Sequence, residues 1–385
     1  MSNSMNLVST SKDVKNLCDK LSKDKFICID TEFVRETFYF PKLCLLQIGD
    51  SIGNGWAIDA LVNNIDLSPM YSLLLDTKIL KVFHAPRQDL EIFYKLIGKI
   101  PNPIFDTQSA GMACGFGDSV SYEVLVRNLL GIKIDKSFRY RDWSLRPLKK
   151  KHLEYAIGDV TYLSKIYQFL SQQIVKEKRS NWIKEEVEKF YNTDLYLTDP
   201  YSAWKKVKIK NSNLKSLSIL REVAALREQV AQKNNTQKNM ILKDEVLVKI
   251  AFNAPKSLSN LKKIRGLPHS KLTNHMKSSI IESVNKGTNN NNTSWVPKKN
   301  NSLPNVSKLI IEILNILLKI TAEKYNISEK LIGNRKDLEK IASGINDTKV
   351  LKGWRYDIFG KTALYFVSGK IAISSSKNKI VLKKL

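Results

Sequence analysis

A short apolar segment that ends in two acidic residues constrains the fold of this chain more than any other stretch. Residues 26–33 read Phe-Ile-Cys-Ile-Asp-Thr-Glu-Phe, a composition that predicts a buried strand. Strand side chains alternate between faces, so Asp30 and Glu32 share one face. Two such carboxylates repel each other unless a cation lies between them, and hard divalent ions such as Mg²⁺ take oxygen ligands. The alternative is a strand running into a polar loop, with both acids solvated.

Two later segments supply a third and a fourth acid. Asp89 follows the predicted strand Lys81–His84 and lies in the first turn of a helix, where a carboxylate also suits the helix dipole. Tyr155 and Asp159 are four residues apart in the helical pattern 149–174, so they share one helix face. An acid among apolar neighbours must be paired or liganded, and a phenol one turn away can hold a water beside a metal. Alternatively, Asp159 is a surface residue beside a half-buried tyrosine.

Positive charge is concentrated in the second half of the chain. The formal net charge is +26, from 63 basic and 37 acidic residues. Residues 196–385 hold 36 basic and 13 acidic residues, whereas residues 1–195 hold 27 and 24. This asymmetry predicts chemistry in the first half and binding of a polyanion, such as nucleic acid, in the second. Codon usage in an AT-rich gene is the alternative, but it does not explain why the first half is nearly neutral.

Length, cysteines and apolar segments limit the class of protein. A chain of 385 residues predicts two or three domains. Cys18, Cys28, Cys44 and Cys114 lack the Cys-x-x-Cys spacing of a zinc site and fit a reducing compartment. The N-terminus has no apolar signal core. The segment Val306–Ile320 is too short and too charged to span a membrane, so we expect a packed helix there and a cytoplasmic protein.

The order of the predicted elements indicates a mixed α/β fold. Beyond the first strand, further strands are predicted at 43–48, 56–59, 81–84 and 104–106. Helical patterns alternate with the later strands and dominate beyond Asp106, which predicts a mixed sheet with helices packed on it. Two polar segments, Leu197–Asn213 and Gly287–Thr293, are predicted linkers, and the second is expected to be disordered.

The four acids and the tyrosine occur in the order and at the spacing typical of DEDDy-type exonucleases, and the chain resembles the ribonuclease D family. The segment Asp30–Gln47 resembles the first motif of that family, and His84–Leu90 and Leu153–Leu163 resemble the second and third. Other phrases that resemble the family are Phe105–Gln108, Asp135–Ser137 and Asp142–Leu148. The resemblance implies a ribonuclease H-like exonuclease domain, an α/β fold with a mixed sheet and flanking helices.

The resemblance continues through the basic half. Leu220–Arg227, Asp244–Leu247 and Ile264–Leu267 resemble the HRDC domain, a small helical nucleic-acid-binding domain shared with RecQ-type helicases. Gly353–Gly360 resembles the end of bacterial ribonuclease D. The implied organisation is an exonuclease domain, an HRDC domain and a second HRDC-like all-α domain, at residues 1–200, 212–286 and 302–385.

The resemblance also implies the reaction and the roles of the site residues. Asp30, Glu32, Asp89 and Asp159 would bind two divalent metal ions, Mg²⁺ or Mn²⁺, and Tyr155 would orient the attacking water. The implied activity is hydrolysis of RNA from its 3′ end with release of 5′-mononucleotides. Precursors of tRNA and other stable RNAs are the expected substrates.

Four further residues are candidates for contact with RNA. His84 lies at a strand end facing the site, as a substrate contact or as a packing histidine. Lys136, Trp143 and Arg146 are the others, because cations meet phosphates and an aromatic ring can stack on an unpaired base. Asp106 is expected to cap a helix rather than to bind metal.

Two other functions remain open. Nothing in the five site residues distinguishes RNA from DNA, so a DNA 3′–5′ exonuclease of the proofreading or Werner type is the first alternative. A non-catalytic RNA-binding protein on a degenerate nuclease fold is the second. It would lack one or more acids, and all four are present. We expect no membrane association and no obligatory protein partner.

Overall fold

A mixed sheet forms the centre of the first half of the protein in the computed structural model, which describes residues 6–135, 138, 141–290, 294–295, 307–377 and 379–385. Its six strands are β1 (Leu7–Val8), β2 (Phe26–Val34), β3 (Lys42–Gly49), β4 (Gly55–Asp59), β5 (Leu80–Phe83) and β6 (Ile104–Asp106). They lie in the order β1-β4-β3-β2-β5-β6. Strand β3 is antiparallel to β2 and β4, and the other pairs are parallel. The predicted mixed sheet is confirmed. Strand β1 was not predicted, because two residues are too few to show the alternation of apolar and polar side chains that marks a strand.

Strand β2 lies inside the sheet and carries the two acids. On one side, β3 pairs with β2 along most of its length, with Gln47 opposite Asp30. On the other side, β5 pairs only with Phe26–Cys28. Asp30 and Glu32 therefore extend beyond the end of β5, which leaves space beside them for other elements of the site.

Seven helices accompany the sheet. They are α1 (Ser11–Leu21), α2 (Ser68–Leu75), α3 (Arg87–Ile97), α4 (Thr107–Ala113), α5 (Tyr122–Leu130), α6 (Lys150–Lys176) and α7 (Ser180–Glu188). The long helix α6 packs on β2, β3 and β4 at two glycines. A Cβ at Gly49 would lie 3.0 Å from the carbonyl oxygen of Val160, and one at Gly55 would lie 2.8 Å from Thr161 Cγ2. The absence of side chains at both glycines lets α6 bring Asp159 close to the sheet.

A second hydrophobic core lies in the helical segment that follows. Its helices are α8 (Leu214–Asn234), α9 (Lys238–Ile241), α10 (Asp244–Asn253), α11 (Leu258–Lys262) and α12 (Asn274–Asn289), preceded by short 3₁₀ helices at Lys189–Tyr191, Thr193–Leu195 and Pro200–Lys206. Ala203 and Trp204 belong to this second core. The prediction of a linker at Leu197–Asn213 is therefore wrong, because apolar residues within it pack as part of the helical domain.

The second predicted linker begins inside α12. Gly287 is buried in this helix, and a Cβ there would lie 2.5 Å from Ile219 Cα. The glycine thus allows α12 to cross α8 at close range. The prediction of disorder is wrong for residues 287–289, while residues 291–293 lie outside the described part of the chain.

The C-terminal segment packs against the first half of the chain. It contains α13 (Lys308–Tyr325), α14 (Glu329–Ile332), α15 (Arg335–Ala342), a 3₁₀ helix (Lys349–Leu351), α16 (Gly353–Arg355), a π-helical turn (Tyr356–Gly360), α17 (Lys361–Val367) and a hairpin of β7 (Ile371–Ser376) and β8 (Lys379–Lys384). Trp354 stacks on Trp182 of α7, with ring centroids 4.3 Å apart. Arg179 donates a 2.5 Å hydrogen bond to the carbonyl oxygen of Tyr325. Buried residues of this segment and of the exonuclease half form one continuous core. The prediction that residues 302–385 are all-α is wrong for the last part of the chain, because β7 and β8 pair there as an antiparallel hairpin.

The apolar segment at Val306–Ile320 forms a packed helix, as predicted, from Lys308 onward. Leu314 and Leu318 of this helix are buried. Among the residues that the structure describes, we find no helix with the length and apolar character needed to cross a membrane.

Candidate active site

Three carboxylates from two elements meet beside the sheet. Asp30 and Glu32 come from β2 and Asp159 comes from α6, and one oxygen from each lies within 4.8 Å of the others. Strand alternation brings the first two together, and the close packing of α6 brings the third. The structure thus places Asp159 beside two acids that lie more than a hundred residues earlier in the sequence.

The fourth acid stands beside this group. Asp89, in the first turn of α3, accepts a 2.5 Å hydrogen bond from the Thr31 hydroxyl. Because Thr31 lies between the two acids of β2, this bond fastens Asp89 to the same strand. Asp89 lies outside the group within 4.8 Å but lines the same cavity as Asp30 and Asp159.

Burial raises the pKa values of all four acids, and repulsion by neighbouring acids adds to the rise for Glu32, Asp89 and Asp159. Burial, with the charges of Asp30, Asp159 and Asp89, raises the pKa of Glu32 to about 10. Burial and then the charge of Asp30 raise the pKa of Asp89 to about 8, and burial raises the pKa of Asp30 to about 6. The pKa of Asp159 is raised well above its usual range by burial and by Asp30. The cluster can carry its full negative charge near neutral pH only beside compensating cations.

The donor set fits hard divalent cations. Asp30, Glu32 and Asp159 offer carboxylate oxygens only, the ligand type that suits Mg²⁺ and Mn²⁺. Asp89 adds a fourth carboxylate at the same cavity. The chemistry of these donors therefore fits a divalent cation at this position.

Tyr155 lies one turn before Asp159 on α6, and its hydroxyl donates a hydrogen bond to the Asp159 carboxylate. Its ring stacks on Trp143, with centroids 6.2 Å apart and planes at 28°. Trp143 is only 1% exposed, so the Tyr155 ring rests on a buried side chain. The prediction that Trp143 contacts RNA is wrong, because a buried indole offers no face to an RNA base.

Arg146 is also engaged within the protein. Its Nε and Nη2 pair with the Asp59 carboxylate at 2.7 and 2.6 Å. Its other N–H groups bond to the carbonyl oxygens of Cys44, Trp143 and Leu145, which accounts for all five donors of a guanidinium. These bonds tie the loop to the sheet and leave no N–H of Arg146 free in this structure, and its contact with RNA stays a prediction. Lys136 lies outside the described residues.

His84 lines the cavity over the acids. Its Nδ1 lies 3.0 Å from the Thr107 hydroxyl, which itself donates to the Phe83 carbonyl oxygen, so Nδ1 is the donor in the first bond. Burial lowers the pKa of His84 to about 4, and the ring is neutral near pH 7. A neutral imidazole can donate or accept one hydrogen bond, but it is not a cationic contact for phosphate.

The cavity over the acids has a volume of about 440 Å³, within the range of small-ligand sites.

Two residues that line this cavity, Tyr122 and Thr31, were not predicted from the sequence. Tyr122 lines it and donates a 3.0 Å hydrogen bond to the carbonyl oxygen of Gly158, next to Asp159. Thr31 holds Asp89, and a polar residue in a buried strand could have drawn attention to it. No local signal marks Tyr122, because its contact depends on how α5 packs.

Asp106 is a helix cap, as predicted. Its side chain accepts a 2.9 Å hydrogen bond from the backbone N–H of Gln108 at the start of α4. It also accepts one from the backbone N–H of Ala85 at 2.9 Å, just before α3. Asp106 therefore fixes the loop that leads to Asp89.

Comparison with known proteins places this geometry in context. Residues 5–175 match the family model described as a 3′-5′ exonuclease, and residues 216–283 match the model of the HRDC domain. The chain is 40% identical to ribonuclease D of Bartonella henselae, over 99% of this chain and 94% of that protein. It is 39% identical to ribonuclease D of Zymomonas mobilis, over 98% and 97%.

Solved structures give the same picture. The fold is similar to the crystal structure of Escherichia coli RNase D, described as an exoribonuclease involved in structured RNA processing. The TM-score is 0.80 at 25% identity, and the match covers 96% of this chain and 99% of that one. The similarity therefore extends through both halves of the chain.

Proposed function

Because this chain belongs to the ribonuclease D family of 3′–5′ exoribonucleases, we propose that it hydrolyses RNA with two divalent metal ions held by Asp30, Glu32, Asp89 and Asp159. The observation that carries the proposal is the group of carboxylate oxygens from Asp30, Glu32 and Asp159, all within 4.8 Å of one another. Members of this kind of exonuclease family use divalent metal ions, and we propose two per site, Mg²⁺ or Mn²⁺.

Each residue has a defined task in this mechanism. When bound, the two ions supply the activation of the attacking water and the stabilisation of the leaving 3′ oxygen. Asp30, Glu32 and Asp159 would hold the cations, and Asp89, fixed by Thr31, would support them from α3. The Tyr155 hydroxyl donates a hydrogen bond to Asp159, so its oxygen is free to accept a hydrogen bond from the attacking water. A protonated phenol that donates to Asp159 can orient the water but cannot take a proton from it.

We propose RNA with structured or tRNA-like ends as the substrate class. The basic half supports this choice, since residues 196–385 carry 36 basic against 13 acidic residues and phosphate contacts are made by such side chains. We further propose that residues 302–385 form a second HRDC-like unit after the one at 212–286, with the exonuclease domain at 1–200.

We also propose a cytoplasmic location. The four cysteines are unpaired, which supports a reducing compartment.

A gel assay tests the proposal. RNA and DNA strands of equal sequence, labelled at the 5′ end, are incubated with the protein in Mg²⁺, in Mn²⁺ and in EDTA. We expect a ladder that shortens stepwise from the 3′ end on RNA, release of 5′-mononucleotides, and no products in EDTA. Products that begin at internal sites, or a ladder that persists in EDTA, contradict the mechanism. Equal or faster cleavage of DNA favours the DNA exonuclease alternative.

A further inference from the structure

A second cavity lies between the exonuclease half and the helical domain, away from the four acids. Its volume is about 350 Å³, and it is lined by the loop after β2, the start of α3, the segment near residue 198 and the junction of α8 and α9. Its charged residues are Arg35, Arg87, Lys206, Lys238, Glu91 and Glu228. Four basic and two acidic side chains give this interdomain cavity a net charge of +2.

Both carboxylates of the interdomain cavity already have partners. Glu91 accepts two hydrogen bonds from Arg35, at 2.7 and 3.1 Å. Glu228 accepts a hydrogen bond from the Tyr39 hydroxyl through one oxygen, while its other oxygen is buried without a hydrogen-bond partner among the described residues. Arg87, Lys206 and Lys238 outnumber this one carboxylate that is not paired with a cation, so the cavity keeps a net positive charge.

Two of the remaining cations, Arg87 and Lys206, contact neutral groups. In the described part of the chain, Arg87 donates to the carbonyl oxygen of Leu195 at 3.3 Å, and Lys206 lies 3.5 Å from the Thr198 hydroxyl. Charges balanced only by neutral oxygens attract an anionic ligand more strongly than charges paired with carboxylates. The cavity is therefore suited to a phosphate group.

The two domains are joined firmly around this cavity. The backbone N–H of Phe40 donates a 2.8 Å hydrogen bond to Asn235 Oδ1, and Gln232 donates one of 2.8 Å to the carbonyl oxygen of Thr198. Gln237 donates to the carbonyl oxygen of Arg35 at 3.1 Å. These bonds hold the walls of the interdomain cavity in place before any ligand arrives.

Helix α3 connects this cavity to the active site. Arg87 and Glu91 are one turn apart on one face and line the interdomain cavity. Asp89, between them, lines the catalytic cavity on the other face. A helix with its side chains is roughly 10–12 Å across, so an RNA strand that passes the start of α3 can reach both cavities.

The interdomain cavity also offers an aromatic ring. Phe38 is half-buried and lines the cavity together with the cations. Bases of single strands stack on such rings while cations hold the backbone. A volume near the lower end of the range for ligand sites suits one nucleotide and excludes a duplex.

We propose that the interdomain cavity binds one nucleotide of a single-stranded RNA segment upstream of the 3′ end that is being cleaved. Arg87, Lys206 and Lys238 contact the phosphate, and Phe38 stacks on the base. This inference rests on the proposed exoribonuclease function and assigns it a second RNA contact, at the junction of the two domains.

The test measures affinity as a function of strand length. A series of 5′-labelled single-stranded RNAs, from dinucleotide to dodecamer, is titrated with full-length protein in EDTA, which prevents cleavage during the binding measurement. The variants are Lys206→Ala, with an exposed side chain, and Phe38→Ala, with Lys233→Ala as the matched control. Lys233 is exposed on α8 and does not line the cavity. Cleavage of the short strands in Mg²⁺ by the wild-type protein, measured separately, tests the proposed function on its own.

We expect wild-type affinity to rise in a step at the length that reaches the interdomain cavity. In Lys206→Ala and Phe38→Ala the ratio of long-strand to short-strand affinity falls about tenfold, and Lys233→Ala retains the step. For Lys206→Ala on long strands, the slope of the logarithm of the binding constant against the logarithm of the salt concentration becomes shallower by about 0.7. Equal ratios in all variants, or an equal loss in Lys233→Ala, overturn the inference. Tight binding of free AMP to the wild-type protein without a length step does so as well.

Discussion

The Thr31 hydroxyl donates a 2.5 Å hydrogen bond to Asp89 Oδ1 and so ties the start of α3 to strand β2. Thr31 stands between Asp30 and Glu32 in the sequence and lines the same cavity as Asp30 and Asp89. One strand thus presents two acids directly and positions a third through its intervening hydroxyl.

Removing this hydroxyl should loosen Asp89. We expect Thr31→Val to lower the single-turnover rate about tenfold, a barrier change of about 1.4 kcal/mol, and to raise the Mg²⁺ concentration at which the rate is half-maximal. Thr31→Ser, which keeps the hydroxyl, serves as the control and should remain near wild type. An unchanged Mg²⁺ requirement in Thr31→Val would show that Asp89 does not depend on this bond.

Substitution of the metal-holding acids should separate activity from stability. Asp30→Ala and Asp159→Ala are each expected to reduce cleavage more than tenfold, because each removes a proposed ligand. The metal-free variants should unfold at a higher temperature than the metal-free wild type, since repulsion within the cluster is relieved. The exposed Asp142 provides the control, as Asp142→Ala should cleave at the wild-type rate. More than a tenth of wild-type activity in Asp159→Ala argues against a ligand role.

The stability of the metal-free protein should depend on pH. Burial and neighbouring acids raise the pKa of Glu32 from 4.5 to about 10, so the folded state keeps a proton that the unfolded chain releases. The free energy of unfolding therefore falls as pH rises from about 4.5 towards 10, by up to about 1.4 kcal/mol per pH unit for one proton. Denaturant titrations in EDTA measure this slope. Glu32→Gln should make the slope shallower by the contribution of one proton, since Asp89 and Asp159 keep raised pKa values. Added Mg²⁺ should flatten the profile, and a flat wild-type profile in EDTA contradicts the raised pKa values.

Substitution of Tyr155 should lower the cleavage rate and leave metal affinity nearly unchanged. We expect Tyr155→Phe to lower the single-turnover rate by about 10²–10⁴-fold, the range for one positioned proton-transfer or hydrogen-bonding group. The ring stays on Trp143, so folding and metal affinity should be kept. A rate equal to wild type would assign Tyr155 to packing alone.

The sequence was sufficient to predict the parts of the site that local periodicity governs. Alternation in a strand paired Asp30 with Glu32, and helical spacing paired Tyr155 with Asp159. Asp106 was recognised as a cap because capping depends on the next two or three residues. In each case the interaction lies within one element or at its end.

Contacts between distant segments were harder to predict. Trp143 and Arg146 have the side chains of RNA contacts, but Arg146 pairs with Asp59, 87 residues earlier, and Trp143 is covered by the fold. The two linker predictions were wrong because they, too, depended on contacts between distant segments. Polar composition indicated exposed chain, whereas Trp204 and Gly287 have packing roles that depend on α8.

Calorimetric titration of Mn²⁺ tests the central claim, that these carboxylates form a two-cation site, most directly. Metal-free wild-type protein and the Asp159→Asn variant, which keeps the side-chain size without the charge, are titrated under the same conditions. We predict two bound ions per wild-type chain and the loss or marked weakening of at least one in Asp159→Asn. Equal stoichiometry and affinity in the two proteins, or no binding to the wild type, would contradict the account.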